Sequence, residues 1–285
     1  MRELHYTFFG CRGSHPVSSK RVMKYGGNTA CLLCEAGEDV VILDAGTGLV
    51  NAGEYLKKSA HLSKNIKIFL THLHLDHIMG LPFFHPVFDT RYTIDIYYPN
   101  DNHVSFEEAI YRLFHHPYSP IGNDGIKAKI NLHQLPVDSS IEEYSVGDGL
   151  YIRFIKEQSH PKQGVFIYKI GNGAANLVFA TDVESPDGFE PDVLGFIKGT
   201  DVLIHDSQYF DTDYFGSEFP KRGFGHSTAS MAVKNAIQSE TKKLFLFHYD
   251  PDYSDSDLER MLGFARDSFH ETYLSEELKK FTLRS

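Results

Sequence analysis

The sequence predicts an α/β sandwich: two packed β-sheets with helices on their outer faces. Three observations carry this. Strand and helix patterns succeed one another in two halves of the chain, strands first and helices after. Several strands are unbroken apolar runs that read as buried. Polar residues collect just past the ends of those runs. The 285 residues contain no linker, low-complexity tract or short-period repeat. At about 150 residues per domain one or two domains are allowed. The chain reads as a single domain over 1–285, with an aromatic-rich insert at about 82–130.

The elements follow in order. Residues 4–9 alternate weakly and stop at Gly10, a first strand. Residues 28–35 and 39–44 form a hairpin across Ala36-Gly37-Glu38. Asp44-Ala45-Gly46-Thr47-Gly48 is a glycine turn that leads into a helix over 49–61. Ile66-Lys67-Ile68-Phe69-Leu70 is apolar and partly β-branched, a buried strand. The insert holds a strand over 92–98 and a helix over 106–114. Strands over 150–155, 164–170 and 176–180 sit around turns. A short buried strand over 201–204, a helix over 228–239, a strand over 244–247 and a helix over 254–265 complete the series.

Composition narrows the functional classes. Hydrophobic residues make up 41%, enough for a sizeable core. The net charge of −10, from 28 basic and 38 acidic residues, argues against nucleic acid as a main partner, because phosphate backbones need a basic face. No stretch reaches the roughly 18 apolar residues of a membrane span. The N-terminus lacks a signal-peptide pattern. The cysteines, Cys11, Cys31 and Cys34, are odd in number and form no framework, which points to a reducing compartment and a cytoplasmic location. Cys31 and Cys34 have CxxC spacing but no second pair, so they are expected in the core. Sixteen histidines suit a metal enzyme.

The stretch Thr71-His72-Leu73-His74-Leu75-Asp76-His77 concentrates metal-competent side chains at the end of the 66–70 strand. His72 and His74, two apart, point the same way. A solvated His-rich loop would need neither that alternation nor an Asp here. Burying such groups unpaired costs about 1–3 kcal/mol each. Three further residues emerge from apolar runs in the same manner: His160, Asp182 and His248. His72, His74 and His160 could hold one ion. Asp76, His77 and His248 could hold a second, with Asp182 bridging. Two ions about 3.5–4 Å apart activate water and clamp a phosphoryl or carbonyl group. With only N and O ligands, Zn²⁺, Mn²⁺, Fe and Co all qualify, Zn²⁺ being the expected ion.

HxHxDH over 72–77 followed by His160, Asp182 and His248 resembles the metallo-β-lactamase superfamily across nearly the whole chain. The resemblance implies a four-layered αβ/βα sandwich and gives Asp44 a structural role, buttressing the metal loop. Gly225-His226-Ser227-Thr228 and His205-Asp206-Ser207 resemble the GHST and His-Glu/Asp motifs of the ribonuclease Z-like phosphodiesterase branch. There the GHST histidine, paired with the acid, faces the scissile phosphate. The candidate catalytic residues are therefore Asp76, His226 and Asp206. A histidine held protonated by a carboxylate can stabilise the charged transition state and protonate the leaving oxygen. This chain has Asp where ribonuclease Z usually has Glu.

Ribonuclease Z carries a long tRNA-gripping arm between its third and fourth metal motifs. Here only residues 161–181 separate His160 from Asp182, room for a simple hairpin. Gly10-Cys11-Arg12-Gly13-Ser14-His15-Pro16, Tyr25-Gly26-Gly27-Asn28-Thr29 and Gly80-Leu81-Pro82-Phe83-Phe84 instead resemble a group of small-molecule phosphodiesterases. That group includes the phage anti-Pycsar enzymes, which hydrolyse cyclic nucleotides. The resemblance implies hydrolysis of a cyclic nucleotide or similar small phosphodiester to a monoester, and a homodimer. The insert is expected to wall the pocket, with Phe84, His116 and Tyr118, and also Ser227, as candidate substrate-binding residues. A ribonuclease Z-type RNA 3′-processing endonuclease, and a lactonase or thioesterase using the same metals, are the alternatives.

Overall fold

The computed structural model describes residues 3–99, 105–136, 143–147, 150–161, 164–216 and 219–283. Residues 100–104 of the expected insert lie outside the described residues. Two seven-stranded sheets face one another. The first takes β1 (Leu4–Gly10), β2 (Cys31–Ala36), β3 (Asp39–Leu43), β4 (Asn65–Phe69), β5 (Thr93–Pro99) and β6 (Lys129–Leu135). The second takes β7 (Glu143–Ser145), β8 (Tyr151–Glu157), β9 (Val165–Gly171), β10 (Asn176–Ala180), β11 (Val202–Asp206), β12 (Lys243–Phe247) and β13 (Thr272–Leu274). β14 (Lys280–Leu283) returns to the edge of the first sheet, with Leu283 opposite Leu4. Each sheet begins antiparallel and continues parallel, through β3–β4–β5–β6 and β10–β11–β12–β13.

Parallel neighbours need a crossover, and helices supply it. α1 (Gly48–Lys58) joins β3 to β4 on the outer face. The strand–helix passage β4–α2 (Leu75–Ile78) carries the histidine turn. α3 (Phe106–Phe114) and the short α4 (Gly122–Gly125) lie in the insert. In the second half α5 (Pro191–Ile197), α6 (Asp211–Phe215), α7 (Ala229–Gln238) and α8 (Asp255–Ser268) occupy the crossovers.

The strands are covered on both faces, which is why they read as continuous apolar runs. In β2, Leu32 and Cys34 enter the core between the sheets, while Cys31 and Leu33 join a separate core under α1. Val41 and Leu43 of β3 face inward, Val40 and Ile42 outward. Cys11, Cys31 and Cys34 are buried and free, as a core role requires. The layers are therefore helix, sheet, sheet, helix. No described helix is long and apolar enough to cross a membrane.

Candidate metal centre

The carboxyl ends of the parallel strands open at one edge of the sandwich, the usual place for ligands in α/β sheets. Asp44 follows β3, the 71–77 turn follows β4, Asp182 lies just beyond β10, Asp206 ends β11 and His248 follows β12. His160 comes from the loop after β8, and His226 precedes α7, which Thr228 caps through Met231 N. Six described non-glycine residues have positive φ, and four stand at this edge: Ser14 (61°), Asp44 (61°), Asp182 (56°) and His248 (63°). Each such conformation costs about 1–3 kcal/mol, and their clustering marks a functional site. The glycine turn after β3 lets two loops cross: a Cβ on Gly46 would come to 2.3 Å from the Asp76 carbonyl oxygen.

The structure brings seven predicted residues together. Ligand-capable atoms of His72, His74, His160 and Asp182 lie within 4.8 Å of one another, as do those of Asp76, His77 and His248. Asp182 reaches both groups. Its Oδ1 is 3.6 Å from His72 Nε2, and its Oδ2 is 3.2 Å from His77 Nε2 and 3.3 Å from His248 Nε2. Asp76 Oδ2 is 3.4 Å from the Nε2 atoms of His77 and His248.

In four of the five histidines the other ring nitrogen is held by a protein oxygen, whereas His74 Nδ1 lies 3.0 Å from His160 Nε2. His77 Nδ1 meets Asp44 Oδ2 at 2.7 Å, His248 Nδ1 meets Gln208 Oε1 at 3.0 Å, and His160 Nδ1 meets the Gly225 carbonyl at 3.1 Å. His72 Nδ1 meets Thr71 Oγ1 at 3.0 Å, and that hydroxyl donates to Asp44. These partners assign Nδ1–H to each of the four rings and turn the Nε2 lone pair inward, the state in which imidazole binds metal. The Nε2 atoms of His72, His77 and His248 are buried without a hydrogen-bond partner. Left so, each costs about 1–3 kcal/mol. The residues fit a pair of divalent cations, and the cluster is suited to binding them.

The electrostatics are set by burial and by the carboxylates. Burial lowers the pKa of His77, but Asp182, Asp76 and Asp44 outweigh it and hold it well above the usual imidazole range, a proton that a bound cation would displace. Burial opposes charge on Asp76, but His77 and His248 outweigh it and favour its carboxylate. On His72, burial and the neighbouring His77 both favour the neutral ring. His226 differs from His72. Burial opposes its charge, yet Asp206, with Asp182 and Asp76 beyond, pushes its pKa up to about 9. Its Nδ1 sits 2.8 Å from Asp206 Oδ2, leaving Nε2 for a reacting group. Asp206 also accepts from the backbone N–H groups of Asp182, Ser227 and Gln208, at 3.0, 3.0 and 3.1 Å. Four donors thus meet its two oxygens, and a ligand-capable oxygen of Asp206 also lies within 4.8 Å of those atoms of Asp182, His226 and His248.

Two expected pocket residues are corrected. Phe84 is fully buried in the outer core, its ring against Gly53 of α1, because the turn after Pro82 folds back onto that helix. Ser227 is also fully buried. Its hydroxyl donates to the Val183 carbonyl, a structural role. His116 and Tyr118 are exposed on the insert, and among the described residues no hydrogen bond, ion pair or ring contact joins them to the cluster. Sequence reading missed three supports: Gln208, Thr71 and Ser14, whose backbone N–H donates to Asp76 Oδ2 at 2.8 Å. Gln208 directly follows the Asp206-Ser207 motif, and Thr71 opens the histidine turn. Ser14 lies in the 10–16 stretch, but it acts through its backbone N–H, which no side chain signals.

Comparison with known proteins agrees with this geometry. The family description "Beta-lactamase superfamily domain" matches residues 40–249. A ribonuclease Z of Picrophilus torridus is 25% identical, over 97% of this chain and 95% of its own length. The metallo-β-lactamase fold protein YhfI of Bacillus subtilis superimposes with a TM-score of 0.71 at 18% identity, over 99% of this chain and 100% of its own. A diphosphatase of the PhnP family gives 0.69 at 18%, over 99% and 98%. With its paired sheets, its strand-end His/Asp cluster and this match over most of its length, the chain belongs to the metallo-β-lactamase superfamily and is a metal-dependent hydrolase of that fold.

Proposed function

We propose that the protein is a dinuclear phosphodiesterase that opens a cyclic nucleotide, or a similar small phosphodiester, to a monoester. The observation that carries this reading is the His226–Asp206 pair beside the His/Asp cluster, 2.8 Å between Nδ1 and Oδ2. In this reading His72, His74 and His160 would hold one ion and Asp76, His77 and His248 the other, with Asp182 available to both. The resident ions are taken as Zn²⁺, and the enzyme as a cytoplasmic homodimer. Two bound divalent ions would supply positive charge at a phosphoryl oxygen and lower the pKa of water.

The chain's own residues do the rest. Asp206 fixes the His226 ring so that Nε2 points to the leaving oxygen and delivers its proton there as the P–O bond breaks. Asp76, anchored at Oδ2 by Ser14 N–H, orients the attacking water.

The small-substrate reading is supported by the tight β9–β10 hairpin. Gly171 pairs with Asn176, and the turn between them closes through Asn172 N to the Ala175 carbonyl. The net charge of −10 supports it too. The relatives called ribonuclease Z favour a second reading, RNA 3′-end cleavage. A panel of 3′,5′- and 2′,3′-cyclic nucleotides, a tRNA precursor with a 3′ trailer and a simple lactone separates the readings. Turnover of a cyclic nucleotide well above the precursor is expected. Trailer cleavage with no cyclic-nucleotide turnover would replace this reading with the second.

A further inference from the structure

Glu184 lies two residues past Asp182 and turns its carboxylate away from the cluster, onto the loop over 219–225. Oε1 accepts from Gly223 N at 2.6 Å and from the Tyr214 hydroxyl, and Oε2 accepts from Gly225 N at 2.8 Å. Among the described residues no Lys or Arg stands within ion-pair distance of it. Its charge is met by these three donors, and charge-assisted bonds of this kind are the strong ones. Its own N–H donates to Ser159 Oγ at 2.9 Å, beside His160.

The loop so held is what His160 leans on. Gly225 has φ of +87°, and its carbonyl accepts from His160 Nδ1 at 3.1 Å. A Cβ on Gly225 would lie 2.4 Å from that same nitrogen, so backbone and imidazole are in direct contact. Gly223, with φ of +89°, lets the chain curl back so that two of its amides reach one carboxylate. A carbonyl placed in this way fixes the tautomer and heading of the ring, which is the support a metal-binding histidine needs.

We propose that Glu184 is a positioning residue for His160. It fixes the Gly225 carbonyl, and through it the affinity for an ion at His72, His74, His160 and Asp182. The inference rests on the dinuclear reading above. The group at Asp76, His77 and His248 has its own supports in Asp44 and Gln208 and is independent of Glu184.

The test titrates metal-free protein with Zn²⁺ against a chromophoric chelator, for wild type, Glu184→Ala, Glu184→Gln and His160→Ala. Wild type is expected to take two ions. Glu184→Ala should keep one at wild-type affinity and bind the other about 10–100-fold more weakly. Glu184→Gln, which keeps one acceptor and the side-chain shape, should fall between. Adding Glu184→Ala to His160→Ala should weaken binding no further, because the two act through one ligand. Two ions at wild-type affinity in a folded Glu184→Ala or Glu184→Gln protein would overturn the proposal. Equal weakening of both ions would do so as well, since it would mean a general structural role. Failure of wild type to bind any ion would instead sink the dinuclear reading, and the proposal with it.

Discussion

At the residue scale, Asp44 shows how much of the site is made by groups that never face the substrate. Fully buried, it takes Thr71 N and Oγ1 and His77 Nδ1, and so sets the heading of two histidines from behind. Gln208 does the same for His248. Gln208→Leu, which keeps the bulk and removes the acceptor, should weaken metal binding about 10–100-fold. Chelator competition on the folded variant checks this, and unchanged affinity would show that His248 needs no such support. The facing His and Asp residues were legible because strand ends make polar side chains converge. Their supports were less so, since Ser14 acts through a backbone amide that any residue carries. Phe84 misled because an aromatic beside a site motif looks the same whether it faces ligand or core. Phe84→Ala should therefore cost about 3–5 kcal/mol of stability and leave the KM of the remaining folded enzyme unchanged. Denaturant melts and kinetics read both, and a raised KM at near-normal stability would return Phe84 to the pocket.

At the element scale, the strands covered on both faces announced themselves. β6 did not: Lys129–Leu135 is an edge strand, largely half-exposed and mixed in polarity, with no clean period. β13 and β14 are three and four residues long, and β14 exists as a strand because β1, at the other end of the chain, pairs with it. α5 carried a Pro at its start but has Gly195 within it, which masks a helical pattern. The link just before β14 has a measurable signature. Glu277 accepts from Asn28 N at 2.6 Å and Nδ2 at 2.8 Å, and burial pushes its pKa from 4.5 up to about 7 against the pull of Asn28 and Arg12. The folded chain then keeps this proton in a window where the unfolded chain has released it, so its contribution to stability falls as pH rises from about 4.5 to 7. Glu277→Gln, with the Asn28 amide turned to match, should melt above wild type at pH 8 and close to it at pH 5. A gain confined to pH 5 would contradict this.

At the scale of the whole molecule, two sheets with their parallel halves side by side place Asp and His residues from both halves at one edge, and the sequence order alone foretold that convergence. The substrate was less legible, because one metal edge serves many reactions and the fold does not choose among them. Charge offers a test. A substrate carrying one phosphate has no condensed counterions to release and should change little in kcat/KM between 50 and 200 mM salt, whereas an RNA held through six or more phosphate contacts should lose about 10³-fold. The most direct measurement is phosphomonoester release from cyclic nucleotides by wild type and His226→Ala, with the metal content of each determined alongside. A fall of about 10²-fold or more in kcat, with metal content equal in the two proteins, is the expected result. Equal turnover by both proteins would contradict the role given to His226, and turnover by neither, with the metal in place, would contradict the assignment of this site to cyclic phosphodiester cleavage.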